Sequence, residues 1–227
     1  MEQLCGAFQM SLRKGMPVML ILAGLPYAKE KISSYEGCTF MQRAQEFRLE
    51  SLRVSETHDA FVSLLHQAKG VATTEGTVDA LAHASLGHPY LMQLLGYHLI
   101  EHEAERQQSG EITLRPSSVD TVFPIAYDAY RDNVLKPTLS RLGKSLTSYL
   151  SAACKLLDDE RRAQTTEIAR ILGLSKQQAS TYRQRLIQRR LIVPSGWGYV
   201  SLGLPYLDRY LSETEVISEQ KPDVWRY

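Results

Sequence analysis

Between Thr165 and Leu202 the spacing of apolar positions changes from a helical period to a strand period. Ile168, Ala169 and Leu172 share one face of a helix, Gly173 ends it, Leu174 turns inward, and Ser175 is placed to N-cap the next helix. In that second helix Ala179, Tyr182 and Leu186 recur at i, i+3 and i+7, a buried stripe at the helical period. Two short β-prone runs then flank Ser195-Gly196-Trp197-Gly198, which signals a hairpin. Helix, tight turn, helix and hairpin is the plan of a winged helix-turn-helix, and Leu146 to Leu157 supplies its approach helix.

Upstream, Leu4, Phe8 and Leu12 define a short amphipathic helix over Met1 to Arg13. Val18-Met19-Leu20-Ile21-Leu22 follows as an unbroken apolar run, the pattern of a strand covered on both faces, stopped by Ala23-Gly24-Leu25-Pro26. Thr39 to Gln45 reads as helical and Phe47-Arg48-Leu49 as a second short strand, too few for an independent sheet. From residue 54 the pattern is helical: one helix from Ser55 through Phe61, Leu64 and Leu65, one over Gly76 to Ala84, and one over Pro89 to Glu105. The polar stretch Glu103 to Arg115 reads as a linker. Val119 to Leu135 reads as a helix broken at Pro124 and ended before Pro137, and Pro205 to Leu211 as a short amphipathic helix ahead of a loose tail.

Charge sharpens this picture. From Arg161 to Arg190 there are eight Arg or Lys residues against Glu167 alone, a local balance of +7 in a chain whose formal net charge is +1. With the apolar stripe turned inward, Lys176, Gln177, Ser180, Thr181, Gln184, Arg185 and Gln188 fall on or beside the outer face. Arg183 and Arg190 lie nearer the stripe, and Trp197 stands at the hairpin tip. Amides, hydroxyls and guanidinium groups reach base edges and phosphates, so duplex DNA is the expected partner. Docking of a protein on the same face is the alternative, and Trp197 either lies against DNA backbone or minor groove or folds back on the hairpin.

The remaining chemistry is negative. Cys5, Cys38 and Cys154 show no metal-ligand or disulfide spacing, which fits a reducing cytoplasm. The apolar run from Pro17 to Leu25 is too short for a membrane span. His98 and His102 are four apart on one helix but lack a third ligand, and no metal is expected. Gly143-Lys144-Ser145 imitates the end of a P-loop, but position 138 is Thr where the pattern requires Gly. No catalytic residue is assigned.

Three blocks together carry a resemblance: Met16-Pro17-Val18-Met19-Leu20-Ile21-Leu22-Ala23-Gly24-Leu25-Pro26, Thr39-Phe40-Met41-Gln42-Arg43-Ala44, and Gly87-His88-Pro89-Tyr90-Leu91-Met92-Gln93-Leu94-Leu95-Gly96. With the terminal winged helix they resemble prokaryotic AAA+ ATPases related to origin-recognition initiators and STAND NTPases. The resemblance implies that Val18–Leu22 is the sensor-1 strand, that Arg43 faces a phosphate, and that Gly87, Pro89 and Tyr90 belong to the lid beside the adenine. Tyr90 stands where many such lids carry a sensor-2 arginine. The Walker A and Walker B segments lie upstream in that family and are not in this sequence. The chain is therefore expected to need no cofactor alone, and ATP with Mg²⁺ only if a P-loop is supplied.

The expectation is a mainly α protein with a small α/β remnant, a helical AAA+ lid and a winged helix-turn-helix. Its divisions are 1–52 for the remnant, 53–110 for the lid, 111–212 for the winged helix and 213–227 for the tail. Its expected role is the lid and DNA-binding portion of such an ATPase. The alternatives are a nucleotide-independent adaptor and a partner of a separate P-loop chain. An exposed 1–52 segment would favour self-association or a protein partner.

Overall fold

A computed structural model describes residues 1–24, 28–47, 51–107 and 110–219. The described residues are mainly helical with two small sheets. No helix among the described residues is long and apolar enough to cross a membrane.

The N-terminal part forms its own small cluster. Helix α1 (Glu2–Arg13), helix α2 (Ala28–Ser33) and a 3₁₀ turn (Thr39–Arg43) close around Cys5, Cys38 and Met41, with Phe8 stacked on Phe40 at 6.0 Å. The expected strand Val18–Leu22 does not form. Its residues take no regular structure, and Met19 and Ile21 are more than four-fifths exposed. The physical reason is pairing: a strand covered on both faces needs neighbours for its backbone groups, and none lies beside it among the described residues. Of the second expected strand, Phe47 is exposed and unpaired, while Arg48 and Leu49 fall outside the described residues. The described residues of 1–52 are thus helical or irregular, with no sheet among them.

A second core runs continuously from Phe61 to Leu211. Helix α3 (Val54–Gln67) opens with Arg53, whose N–H donates to Glu56 Oε2 at 2.9 Å. Strand β1 (Val71–Thr73), helix α4 (Thr77–Ser85) and helix α5 (Pro89–Gln107) follow. Strand β2 (Ile112–Leu114) pairs in parallel with β1, Val71 opposite Ile112, and helix α6 (Pro116–Tyr130) packs across α4 and α5.

The polar stretch Glu103 to Arg115 is therefore not a linker. Glu103 is fully buried, held by Ser118 Oγ, by Gln107 Nε2 at 2.8 Å and by Arg115 Nη1 at 2.9 Å. Gln107 also bonds both backbone groups of Thr113 at 3.0 Å, so its side chain extends the β2 edge. A polar sequence reads as a loop, but here the polar groups satisfy one another inside the fold.

Helix α6 also runs through Pro124 without a break. It passes into a π-helical turn (Arg131–Leu135) and helix α7 (Lys136–Leu139), so the expected end before Pro137 does not occur. The wide turn explains this: Lys136 N–H reaches back five residues to the Arg131 carbonyl, shifting the register just where Pro137 has no N–H to give.

The C-terminal unit contains helix α8 (Lys144–Lys155), strand β3 (Arg162–Gln164), helix α9 (Thr165–Ile171), helix α10 (Lys176–Gln188), strands β4 (Ile192–Pro194) and β5 (Tyr199–Leu202), and helix α11 (Leu207–Glu219). The sheet is antiparallel with order β3-β5-β4. Tyr206 ties this unit to the helices before it: its hydroxyl donates to the Ala84 carbonyl at 2.7 Å, and its ring meets Phe123 and Tyr127 edge-on. Arg209 lies over the Tyr127 ring at 4.1 Å while the Tyr127 hydroxyl donates to Glu213, so α11 is fastened to α6.

Candidate functional site

The connection from α9 to α10 is built as the sequence suggests. Gly173 takes a left-handed φ of +61°, its N–H donates to the Arg170 carbonyl, and Leu174 N–H donates to the Ala169 carbonyl. This is the Schellman arrangement, which ends a helix and satisfies its last carbonyls while Leu174 packs on the core. Ser175 then caps α10: Gln178 N–H donates to Ser175 Oγ at 3.3 Å, and Ser175 N–H donates to Gln178 Oε1 at 3.0 Å. The reciprocal pair fixes where α10 begins, and so which side chains face outward.

Ala179 and Leu186 are buried and Tyr182 is half-buried, as the stripe requires. Lys176, Gln177, Ser180, Thr181, Gln184, Arg185 and Gln188 are all exposed on α10. The Thr181 hydroxyl donates to the Gln177 carbonyl at 2.9 Å, which leaves it free to accept. Arg183 is half-buried with its Nε enclosed, so it belongs with the core side of the helix, and Arg190 is half-buried too.

The cations divide into two groups. Around the sheet they are neutralised within the fold: Arg161 pairs with Asp208 at 2.8 Å, Arg162 with Glu160 at 2.8 Å and Asp158 at 3.2 Å, and Arg170 with Glu167 at 2.8 Å. Arg162 holds the Asp158 carboxyl below its ordinary range through backbone and side-chain hydrogen bonds. On α10 the side chains of Lys176 and Arg185 meet no acidic partner among the described residues, and Arg189 reaches only the Arg141 carbonyl.

The hairpin between β4 and β5 carries Trp197 at its tip with 99% of its surface exposed. It does not fold back. Gly196 and Gly198 on either side take φ of +87° and +79°. The Gly198 carbonyl accepts from both the N–H and the hydroxyl of Thr165, each at 2.9 Å, which anchors the tip to the start of α9.

The nucleotide-side residues are not brought together. Arg43 is exposed in the N-terminal cluster, whereas Gly87, Pro89 and Tyr90 belong to the α4–α5 junction of the other core. Each of the latter three has a structural task. A Cβ on Gly87 would lie 1.9 Å from the Leu52 carbonyl oxygen, Pro89 begins α5 where no N–H is needed, and the Tyr90 hydroxyl accepts from Asn133 Nδ2 at 3.1 Å. Between them His88 Nδ1 is enclosed without a partner, and burial pushes its pKa down. Gly143 precedes α8 and Lys144 begins it, so Gly143-Lys144-Ser145 is a helix start. His98 sits 3.5 Å from Glu101, and no group of three acidic, His or Cys side chains able to hold a metal occurs among the described residues.

Sequence reasoning missed an open groove of about 630 Å³ between α8, the end of α9 and α11. Its lining includes Leu142, Ala152, Leu172 and Leu211 together with Lys144 and Lys155. Its walls come from three separate helices, so no single stretch of sequence signals it.

A family model described as a domain of unknown function (DUF8462) matches residues 132–211. The match runs from the π-helical turn to the first turn of α11, and so encloses the whole α10 face and the hairpin. No curated protein matches the chain.

Proposed function

We propose that the unit from α8 to β5 is a winged helix-turn-helix that binds duplex DNA, with α10 entering the major groove and the hairpin lying alongside. The observation that carries the reading is the contrast on the surface: Arg161, Arg162 and Arg170 are neutralised within the fold, while Lys176 and Arg185 on the α10 face meet no acidic partner among the described residues. An unpaired cation on a rigid helix is available to a phosphate without first breaking an ion pair. The amides and hydroxyls beside them, on Gln177, Ser180, Thr181, Gln184 and Gln188, are the side chains that read base edges.

We read the whole chain as the lid and DNA-binding portion of an initiator- or STAND-like AAA+ ATPase. In that reading ATP and Mg²⁺ bind through a P-loop supplied by another segment or another chain. The structural tasks of Gly87, Pro89 and Tyr90 favour the second reading, a nucleotide-independent module, for these residues taken alone.

The test is a titration of fluorescent duplex DNA at several salt concentrations with wild type and the double variant Lys176→Ala, Arg185→Ala. Each phosphate contact contributes about −0.9 to the slope of log K against log salt, so the double variant should be shallower by about one to two. No binding at low salt, or an unchanged slope, would transfer the α10 face to a protein partner.

A further inference from the structure

We infer that Trp197 is a base-stacking element, and that the favoured DNA is a duplex carrying unpaired bases, such as a fork or an opened end. This deepens the DNA-binding reading and rests on it.

Four observations lead there. The indole is 99% exposed, so no part of it serves the core or the hairpin. Its neighbours Gly196 and Gly198 have no side chains to cover it, and at that exposure both ring faces are open. The tip is anchored: the two hydrogen bonds from Thr165 to the Gly198 carbonyl hold it on the start of α9. And the cations at the start of β3 are already paired, Arg162 with Asp158 and Glu160, and Arg161, just before the strand, with Asp208. A neutral, two-faced aromatic ring on a fixed support offers a phosphate one indole N–H and no charge. Its chemistry fits the flat face of a nucleobase.

Inside a continuous duplex both faces of every base are covered, and stacking there requires unstacking a step first. Where bases are already unpaired that cost is absent, and the ring gains the full stack. The unit then divides its work. The α10 face supplies salt-dependent duplex contacts through Lys176 and Arg185, and the hairpin tip supplies a nearly salt-independent contact that selects for the opened structure.

The experiment uses the full chain with Trp225→Phe, which leaves Trp197 as the one tryptophan of the two in the sequence. Two DNAs of the same sequence are titrated: a duplex with both ends bridged by hexaethylene glycol, and one whose end is an unpaired fork. The expected result is a preference of about tenfold or more for the fork, the size of a base–aromatic stack, with quenching of Trp197 emission on the fork. Trp197→Ala should remove the preference and leave affinity for the bridged duplex within about twofold. Because the ring touches nothing in the fold, this variant should keep the wild-type circular dichroism spectrum and melting temperature.

Equal affinity of the parent for both DNAs would overturn the inference. So would a preference that survives Trp197→Ala, or an equal weakening of both DNAs by it, which would place the ring on backbone or minor groove. Absence of binding to either DNA at low salt would instead overturn the DNA-binding reading and this inference with it.

Discussion

Replacing Gly87 with Ala tests what the Gly-x-Pro-Tyr block is for. Gly87 has φ of +71°, and its carbonyl accepts from Leu52 N–H at 2.9 Å. An added Cβ would lie 1.9 Å from the Leu52 carbonyl oxygen and 2.8 Å from its carbon. Those atoms are backbone, so the contact cannot be relieved by a side-chain rotation. The left-handed conformation costs an L-residue about 1–2 kcal/mol, and displacing Leu52 forfeits a hydrogen bond worth about 1 kcal/mol together with part of its packing. The sum is about 2–4 kcal/mol, which for a chain of this size lowers Tm by about 5–15 °C. Urea unfolding without any nucleotide is the assay. Gly76→Ala is the control, since it has φ of +76° but its nearest neighbour would be Pro116 Cγ at 3.7 Å. It carries the strain without the clash and should cost only about 1–2 kcal/mol. If Gly87→Ala stays within about 0.5 kcal/mol of wild type, the close approach is not what this glycine serves, and a ligand-facing role becomes the better account.

Glu103→Gln should destabilise by about 1–3 kcal/mol, because Arg115 and Ser118 lose a charged acceptor in a buried site. Burial alone would raise the Glu103 pKa, but hydrogen bonds from Ser118 and Gln107 and the charges of Arg115 and Arg106 outweigh it, and the native pKa is lowered. Its stabilisation is therefore present above the ordinary glutamate value of about 4.3 and lost as pH falls through the lowered native value. Chemical denaturation from pH 7 to 3 should show a shallower acid decline in the variant, and an identical pH profile would refute the assignment. Calorimetry with ATP and Mg²⁺ should show no micromolar binding and no turnover, since Lys144 begins α8 behind a Gly143 cap. Turnover abolished by Lys144→Ala would reverse that.

How far the sequence could be read depends on whether the forces were local. The α9–α10 connection was legible because its determinants lie within a few residues: Gly173 for the left-handed turn, Ser175 and Gln178 for the cap, and Ala179, Tyr182 and Leu186 for the stripe. The outward face of α10 followed from that stripe by geometry alone. The polar stretch around Glu103 was misread because its partners Arg115 and Ser118 are 12 and 15 residues away and only meet it in the fold. Pro137 reads as an end because a sequence pattern does not reveal a π-helical turn that reshuffles the hydrogen bonds, and Pro124 reads as a break although α6 runs through it. Val18–Leu22 failed for a related reason: an apolar run states a preference for burial, but a strand also needs a partner.

Glycine shows the limit of motif reading most clearly. The resemblance places Gly87 in a lid beside an adenine, with no steric reason attached, whereas in the fold a side chain there would clash with the backbone of Leu52. Gly203 carries the same kind of constraint unsignalled: its Cβ would lie 2.1 Å from the Arg190 carbonyl oxygen, and its N–H donates to the Leu191 carbonyl at 2.9 Å. That contact draws the chain leaving β5 against the residues that join α10 to β4, and so helps fix the angle of the hairpin relative to α10. If the hairpin tip and α10 contact one DNA, their relative angle must survive binding. Gly203 is thus as much a part of the proposed interface as the side chains that would touch the nucleic acid.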